Sequence, residues 1–347
     1  MTFSSSLPEP THLAQGLSHD GRPASSFKPA SVVIAAFTEQ RWSDLVDAVA
    51  SVKKQSLPAK EIIIAVDHNP SLLRRITTEI SDVIAIPNKF ARGAPGARNS
   101  GVAASTGAIL AFLDDDAVAD PDWLLRLSDG YADESVCAVG GRIDPLWLDG
   151  RPRWFPEEFN WVVGASYKGG PVRMEAVRNL WTVNMSVLRS VFDGVGGFRP
   201  YFGKVGARSR PEDTELCIRI GQAWPGKAIM YNPDAKVLHK VHAGRARFSY
   251  FASRCYHEGF GKAELTRYVR PSTALGVEQR YLRRVLSESV LAGCHEAFFR
   301  GHFDGLARVG AIISGVSCAF AGFSLGALKG ALSHSSNRSS PPSLERQ

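Results

Sequence analysis

The sequence predicts an α/β protein with a mostly parallel central sheet and a helical C-terminal appendage. One observation is a series of short apolar runs rich in Ile and Val, which suit strands covered on both faces: Ser31–Phe37, Glu61–Asp67, Val83–Ile86 and Ala108–Leu113. The other is that segments with helical spacing of apolar residues separate these runs. Strand, helix, strand order implies right-handed crossovers and therefore parallel pairing.

Two helices are predicted between the first three runs. In the first helix Leu45, Val49 and Val52 recur at helical spacing. The second starts beside Asn69 and Pro70, a capping residue and a residue favoured in the first helical turn, and its apolar positions again follow the helical period. After about residue 141 the alternation stops, and a stretch rich in Trp, Phe, Gly and Pro follows.

The composition is that of an ordinary globular protein with a substantial core: 347 residues, 44% hydrophobic and 22% charged. The net charge of +7 favours anionic or phosphate-bearing partners. The basic residues are dispersed, without a basic tract interleaved with aromatics, so we expect no nucleic-acid partner. The five cysteines are far apart and form no CxxC pair, which indicates reduced thiols rather than a zinc or disulfide framework.

The two termini and one apolar segment stand apart from this core. Residues 1–30 are rich in Ser, Pro and Gly without an apolar centre, so we interpret them as a disordered leader rather than a secretion signal. The polar tail 333–347 is also expected to be disordered. Residues 309–328 are uncharged and of transmembrane length, but rich in Gly, Ser and Ala. They fit a buried or membrane-surface helix, a true span, or a helix–helix interface of small residues.

Three consecutive acids, Asp114, Asp115 and Asp116, directly follow the run AILAFL. Ligands of open parallel sheets bind outside the carboxyl ends of the strands, so these carboxylates are expected to face a crevice. Adjacent acids repel each other, and a divalent ion shared with substrate phosphates resolves that repulsion. The alternative is a solvated acidic turn that caps the helix predicted at 121–128.

Other polar residues also follow predicted strands. Asp67 ends the second run, where a carboxylate either accepts hydrogen bonds from a nucleobase or ribose or only caps the next helix. Thr38 and Glu39 follow the first run and are expected at the same rim. The Gly-rich turn at residues 92–99 leads into a helix, and its backbone N–H groups together with Arg98 suit a diphosphate.

Acids begin a further predicted helix at Glu212 and Asp213. The helix dipole favours acids there without any ligand, whereas the functional interpretation is a carboxylate base aimed at an acceptor hydroxyl. His239, at a predicted strand end, is a candidate for completing a metal site. A Gly-bearing loop before the helix carries side chains suited to closing over phosphates: Lys204, Arg208 and Arg210.

In the order of its motifs the chain resembles the family-2 glycosyltransferases, over about Ser31 to His242. The motifs are SVVIAAF-TE, EIIIAVD, GARNSGVAASTGAILAFLDDDA, VGGF, PEDTELCIRI and PDAKVLH. The resemblance implies a GT-A fold with a nucleotide-sugar half at 31–140 and an acceptor half at 141–242. A helical region at 243–332, a candidate for membrane association, then separates this domain from the tail.

Roles follow for the residues that match the family's motifs. Nucleotide-sugar binding is implied for Thr38, Glu39, Asp67, Arg98, Asp114 and Asp115. Asp116 and His239 are implied to hold a divalent metal, Mn²⁺ or Mg²⁺, and Asp213 to be the catalytic base. On the acceptor or leaving-group side we place Asn184, Glu212, Lys204, Arg208 and Arg210.

The resemblance implies one displacement with inversion at the anomeric carbon. A hexose-type sugar would pass from a UDP-sugar to an acceptor hydroxyl. The basic composition and the apolar C-terminal segment suggest a lipid-linked or cell-surface glycan at the cytoplasmic face of the membrane as the acceptor. The alternative is a nucleotidyltransferase that makes a nucleotide-sugar, but residues 37–42 lack the Gly-rich loop typical of that class. A non-catalytic sugar- or lipid-binding scaffold is the third hypothesis, and the acids at all three sites argue against it.

Overall fold

The computed structural model describes residues 27–205, 208–269, 276, 278–279, 281–282, 288–291, 295 and 304–336. Residues 1–26 of the predicted leader and 337–347 of the predicted tail lie outside this part. The strands are β1 (Ala30–Ala36), β2 (Glu61–Val66), β3 (Ile84–Pro87), β4 (Ile109–Asp114), β5 (Ala117–Ala119), β6 (Val136–Trp147), β7 (Glu175–Ala176), β8 (Asn184–Leu188), β9 (Gly203–Val205), β10 (Arg208–Arg210) and β11 (Ala228–Val241).

The helices are α1 (Trp42–Lys53), α2 (Pro70–Glu79), α3 (Ala94–Ala104), α4 (Trp123–Asp129), α5 (Arg189–Gly194), α6 (Glu212–Ala223), α7 (Phe248–Leu265) and α8 (Asp304–Ser336). Short 3-10 segments cover Glu39–Arg41, Gly130–Ala132, Glu157–Val163 and Ala243–Ala246. Asn69 caps α2 as its sequence suggests, because its side chain accepts a hydrogen bond from the amide of Leu72 at 3.0 Å. Helix α8 extends through Ser336 and thus into the predicted tail.

One mixed sheet organises the domain, with the strand order β3-β2-β1-β4-β8-β6-β11-β5 and with β7 paired to β11. The first four strands pair in parallel, as predicted. Strand β8 then runs antiparallel between β4 and β6, while β6 and β11 are parallel to each other. The predicted α/β core with a C-terminal helical appendage is therefore confirmed, with the parallel strands concentrated in its first half.

The core lies on both faces of this sheet because successive side chains of a strand point to opposite faces. Val32 and Ile34 of β1 belong to one buried cluster, which α1 and α2 cover. Val33 of the same strand belongs to a second cluster, together with Phe112 of β4 and Leu216 of α6. Burial on both faces explains why the first strands are apolar runs rather than alternating patterns.

The backbones of helices α7 and α8 approach each other closely. A Cβ on Gly259 of α7 would lie 1.9 Å from the carbonyl oxygen of Ala319, and one on Gly322 of α8 would lie 2.0 Å from that of Tyr256. Only glycine permits so close an approach. The small residues of residues 309–328 therefore form a helix–helix interface.

The opposite face of α8 is apolar and exposed to the surroundings. Phe320 is 72% exposed and Leu332 is 68% exposed, and Ile313, Leu325 and Leu328 are exposed beside them. At 100° per residue these side chains lie opposite the packed glycines. Within the described residues, α8 is the one helix that is long and apolar enough to cross a membrane.

Candidate active site

The parallel strands bring several polar residues to one edge of the sheet. Asp114 is the last residue of β4, Asp67 directly follows β2, and Thr38 lies two residues after β1. Since β1 lies between β2 and β4 in the sheet, their carboxyl ends meet at this edge. The crevice expected outside the strand ends is where a ligand of such a sheet binds.

Asp114, Asp116 and His239 form the centre of this edge. One oxygen from each carboxylate and one ring nitrogen of the imidazole all lie within 4.8 Å of one another. Nε2 of His239 is 3.0 Å from Oδ1 of Asp116. Strand β11 pairs antiparallel with β5 so that His239 stands opposite Ala117, which carries the imidazole to the residue next to Asp116.

The other side of the imidazole is fixed by the backbone. Nδ1 of His239 lies 3.1 Å from the carbonyl oxygen of Gly164, so Nδ1 carries the proton and donates it. A histidine that ligates a metal commonly donates its second N–H to such a carbonyl, which directs the free nitrogen to the metal. Gly164 has φ of +74°, and a Cβ there would lie 2.8 Å from Cε1 of His239. The glycine thus gives the ring its place.

Two arginines surround the carboxylate of Asp116. Nη2 of Arg245 lies 2.9 Å from its Oδ2, and Nη1 of Arg41 lies 3.1 Å from the same oxygen. Burial raises the pKa of Asp116, but His239, Arg245 and Arg41 outweigh it and hold that pKa well below its usual range. Asp116 is therefore a buried, ionised carboxylate, as a metal ligand must be.

Asp115 is buried beside it in a different state. Burial raises the pKa of Asp115 to about 7, although the nearby guanidinium of Arg41 opposes the shift. Nη1 of Arg41 donates to Oδ1 of Asp115 at 2.7 Å. Oδ2 is buried and has no hydrogen-bond partner among the described residues. An unpaired buried oxygen at the rim of a crevice is a place where a ligand hydroxyl gains a hydrogen bond.

Arg98 connects the acidic triplet to the start of α6. Its Nη2 lies 2.8 Å from Oδ1 of Asp114, and its Nη1 lies 3.1 Å from Oε1 of Glu212. The side chain is buried, and the two carboxylates raise its pKa against the opposing effect of burial. Arg98 therefore places Glu212 beside the strand ends, although 114 residues separate the two in the chain. Asp213 is the next residue of α6.

Asp213 lies in the first turn of α6 and is partly buried. Burial first, and then the adjacent charge of Glu212, raise the pKa of Asp213 to about 7. Its Oδ1 accepts a hydrogen bond from the amide of Thr214 at 2.6 Å. A carboxylate with a pKa close to neutrality is well suited to accept a proton. Glu215, in the same turn, is buried instead and pairs with Arg219.

Asp67 supports the Gly-rich turn. Its Oδ2 accepts from the backbone amide of Gly93 at 2.9 Å, and its Oδ1 accepts from the side-chain amide of Asn88 at 2.7 Å. Gly93, with φ of 121°, precedes α3. The structure thus shows Asp67 positioning the N-terminus of α3, and a contact with a nucleobase stays a prediction.

Several predicted residues lie apart from this centre. Thr38 caps the 3-10 segment at Glu39–Arg41, and Glu39 is exposed at the rim. Arg210 pairs with Glu264 of α7 and stacks over the ring of Tyr201 at 4.0 Å, so the structure ties it to α7. The backbones of Lys204 and Arg208 lie in the hairpin of β9 and β10, but their side chains are outside the described part.

Asn184 is deep in the core, with 1% of its surface exposed. Its amide nitrogen donates to the carbonyl oxygens of Arg142 and Ala235, and its oxygen accepts from the indole of Trp123. These bonds join β8 to β6 and to the bulge in β11. The observed role of Asn184 is structural, and its assignment to the acceptor side stays a prediction.

Arg41 and Arg245 are central to the site but were not predicted from the sequence. Arg41 lies in the 3-10 segment Glu39–Arg41 and Arg245 in the segment Ala243–Ala246, and neither belongs to a recognised motif. Gly164 was missed as well. Two positive side chains beside a buried acidic triplet satisfy charge balance, but a sequence does not say which of its 41 basic residues provide it.

The mixed sheet with its acidic centre is similar to the GT-A fold of glycosyltransferases. Residues 31–196 match the glycosyl transferase family 2 model. The chain is 35% identical over 237 residues to the glucosyl-dolichyl phosphate glucuronosyltransferase of Haloferax volcanii, covering 67% of this chain and 75% of that protein. The chain belongs to glycosyltransferase family 2 and is a glycosyltransferase.

One further protein is similar in sequence over about half of the chain, and one solved structure is similar in fold over most of it. The succinoglycan biosynthesis protein ExoM of Rhizobium meliloti is 31% identical, over 47% of this chain and half of its own length. The structure of the mannosyltransferase PcManGT from Pyrobaculum calidifontis, solved with GDP-Man and Mn²⁺, has a TM-score of 0.54. At 16% identity, covering 85% of this chain and 87% of that one, this similarity shows the fold alone.

Proposed function

We propose that the chain is a metal-dependent, inverting glycosyltransferase that moves a hexose-type sugar from a UDP-sugar to a hydroxyl of a lipid-linked glycan. The observation that carries the proposal is the convergence of Asp114, Asp116 and His239 within 4.8 Å at the strand ends. Asp213, with its raised pKa, follows Glu212, which Arg98 ties to this centre. One site would therefore combine groups that bind a metal-diphosphate with a carboxylate that accepts a proton.

The residues present fit a divalent cation. Two carboxylates and an imidazole are a donor set suited to Mn²⁺, and the proton on Nδ1 of His239 leaves Nε2 free as a ligand. PcManGT, which shares the fold, was solved with Mn²⁺. Bound there, the cation would supply positive charge against a nucleoside diphosphate leaving group.

The donor would lie across the strand ends, with its diphosphate at the acidic centre. Asp115, whose Oδ2 lacks a partner among the described residues, offers an acceptor to a ribose hydroxyl. Asp67 fixes the N-terminus of α3, whose first backbone amides would favour the negative charge of the diphosphate. Thr38 and Glu39 stand at the rim beyond β1, where a base would be contacted.

Asp213 would take the proton from the acceptor hydroxyl as its oxygen attacks the anomeric carbon. The attacking oxygen forms the new glycosidic bond while the bond to the diphosphate breaks, so the configuration inverts in one step. No covalent intermediate with the protein is required. Glu212 would remain paired with Arg98 and hold the turn that carries Asp213.

The acceptor is proposed to be lipid-linked because of α8 and because of a relative. The exposed face of α8 presents Ile313, Phe320, Leu328 and Leu332 over about 30 Å of helix, which suits the head-group layer of a membrane. The relative from Haloferax volcanii is described as acting on glucosyl-dolichyl phosphate. We infer a peripheral contact at the cytoplasmic face.

The proposal is tested by product analysis. The full chain is incubated with a panel of nucleotide sugars, Mn²⁺ and lipid-linked acceptors, and products are identified by mass spectrometry. A sugar added to an acceptor with release of UDP supports the proposal. Formation of a nucleotide-sugar from a sugar phosphate and a nucleoside triphosphate would instead support the nucleotidyltransferase alternative. Thermal unfolding with metal plus UDP, and with metal plus a nucleoside triphosphate, separates the two functions before any substrate is known: the ligand that raises the unfolding temperature of the protein indicates its class.

A further inference from the structure

Arg245 is held by the same atoms that form the proposed metal site. Its Nη2 lies 2.9 Å from Oδ2 of Asp116, and its Nη1 lies 3.3 Å from Nε2 of His239. Within the described residues the guanidinium has no other partner. Its present position therefore depends on two groups that a bound cation would also use.

A guanidinium and a divalent cation compete for these groups. Nε2 of His239 has a single lone pair, and a cation that takes it excludes the contact with Arg245. The two positive charges also repel each other across a few ångströms of partly buried space. Arg41 also contacts Asp116, but it would retain a partner after a cation binds, because its Nη1 donates to Oδ1 of Asp115 at 2.7 Å.

Arg245 is carried by a backbone segment at the surface. It lies in the 3-10 segment Ala243–Ala246, which follows β11 and has no buried residue. Its side chain is long and 17% exposed, and its backbone lies outside the buried core. The anion nearest to a displaced guanidinium would be the diphosphate that the cation attracts, and arginine binds phosphate oxygens in a paired geometry.

We propose that Arg245 is a phosphate-binding residue of the donor site that exchanges partners. It pairs with Asp116 and His239 before the metal binds, and it turns to the diphosphate once cation and nucleotide are present. This inference rests on the proposed function. It adds a residue outside the recognised motifs to the donor site.

The exchange predicts opposite effects of one substitution on two ligands. Arg245→Gln removes a competitor of the metal, so Mn²⁺ alone should bind about threefold tighter or more. It also removes a charge-assisted contact to the diphosphate, so UDP in saturating Mn²⁺ should bind about tenfold to a hundredfold weaker. Uridine, which has no phosphate, should bind equally to both proteins.

The experiment is titration calorimetry on the full chain with Mn²⁺ alone, then with UDP and with uridine in saturating Mn²⁺. Arg247→Gln is the matched control, because Arg247 is exposed, two residues away, and carries the same charge. The control should bind all three ligands like the wild type. Thermal unfolding of each variant verifies that the fold is retained.

Two results would overturn the inference alone, and a third would overturn the proposed function as well. If Arg245→Gln binds Mn²⁺ no more tightly than the wild type, Arg245 does not compete for the site. If it binds UDP as tightly as the control does, Arg245 does not contact the diphosphate. If the wild type itself binds neither Mn²⁺ nor UDP, the proposed function fails and this inference fails with it.

Discussion

Nε2 of His239 lies 3.0 Å from Oδ1 of Asp116, although 123 residues separate them in the chain. The pairing of β11 with β5 brings them together, and the carbonyl of Gly164 fixes the ring so that this nitrogen faces the carboxylate. A buried acid with its pKa held low and an imidazole nitrogen are two kinds of ligand that bind a divalent cation.

Arg98→Gln should disconnect α6 from the acidic triplet. The substitution leaves Asp114 and Glu212 without their shared buried partner, a loss of about 3–5 kcal/mol in the free energy of unfolding. UDP binding should weaken as well, since Asp114 loses its position. Arg92→Gln is the control, because Arg92 is exposed in the turn before α3, the helix that carries Arg98. Equal unfolding midpoints in urea for the two variants would contradict the structural role of Arg98.

Asp213→Asn should reduce turnover by about 10²–10⁴-fold, the usual contribution of a general base. UDP affinity should change little and the unfolding temperature should not fall, because asparagine keeps the size of the side chain and can still accept from the amide of Thr214. Asp234→Asn, at an exposed position of β11, is the control and should keep normal turnover. Normal turnover in Asp213→Asn would remove it from the mechanism, whereas a collapse in Glu212→Gln alone would shift the base by one residue.

The pH profile should report the raised pKa of Asp213. A base must be deprotonated to act, so kcat/KM should rise with pH through about 7 and level off above it. Burial that raises a folded-state pKa makes the ionised form costly, so this group's contribution to stability falls as pH rises from about 4 to about 7. The unfolding free energy of Asp213→Asn should therefore exceed that of the wild type increasingly over this range. A flat rate profile from pH 5.5 to 8.5 would contradict the assignment.

The exposed face of α8 should bind membranes. Phe320→Glu combined with Leu328→Glu places charge on that face and should weaken sedimentation with phosphatidylglycerol-containing vesicles by about tenfold or more. Val172→Glu is the control, because Val172 is 84% exposed elsewhere on the surface. Vesicle binding that is equal in all three proteins would show that α8 makes no membrane contact.

The first half of the fold could be predicted because its strands are apolar on both faces. The runs at β1, β2 and β4 are continuous for that reason, and their helices keep the helical period. Strand β6 was not predicted, since Gly140, Gly141 and Pro145 resemble a turn. A Cβ on Gly141 would lie 1.9 Å from the carbonyl oxygen of Ala235, so close strand packing at the bulge of β11 requires this glycine.

The site was predictable where chemistry follows a strand end, and not where it depends on tertiary pairing. Asp114 and Asp116 could be proposed from their position after AILAFL, and the structure brings His239 to them. Arg41 and Arg245 could not, because only the folded chain shows which cations balance a buried carboxylate. Asn184 is the opposite case: it was assigned to the acceptor side from its motif, but its hydrogen bonds hold three strands, β8, β6 and β11, together.

The central claim is that Asp116 and His239 bind a divalent cation on which the donor nucleotide depends. Calorimetry of UDP binding, with and without Mn²⁺, tests it most directly in the wild type, in Asp116→Asn and in the surface control Asp82→Asn. The wild type and the control should bind UDP tightly only with Mn²⁺, while Asp116→Asn, verified as folded, should lose the Mn²⁺-dependent part. UDP affinity that is independent of Mn²⁺ in the wild type, or unchanged in Asp116→Asn, would contradict the account.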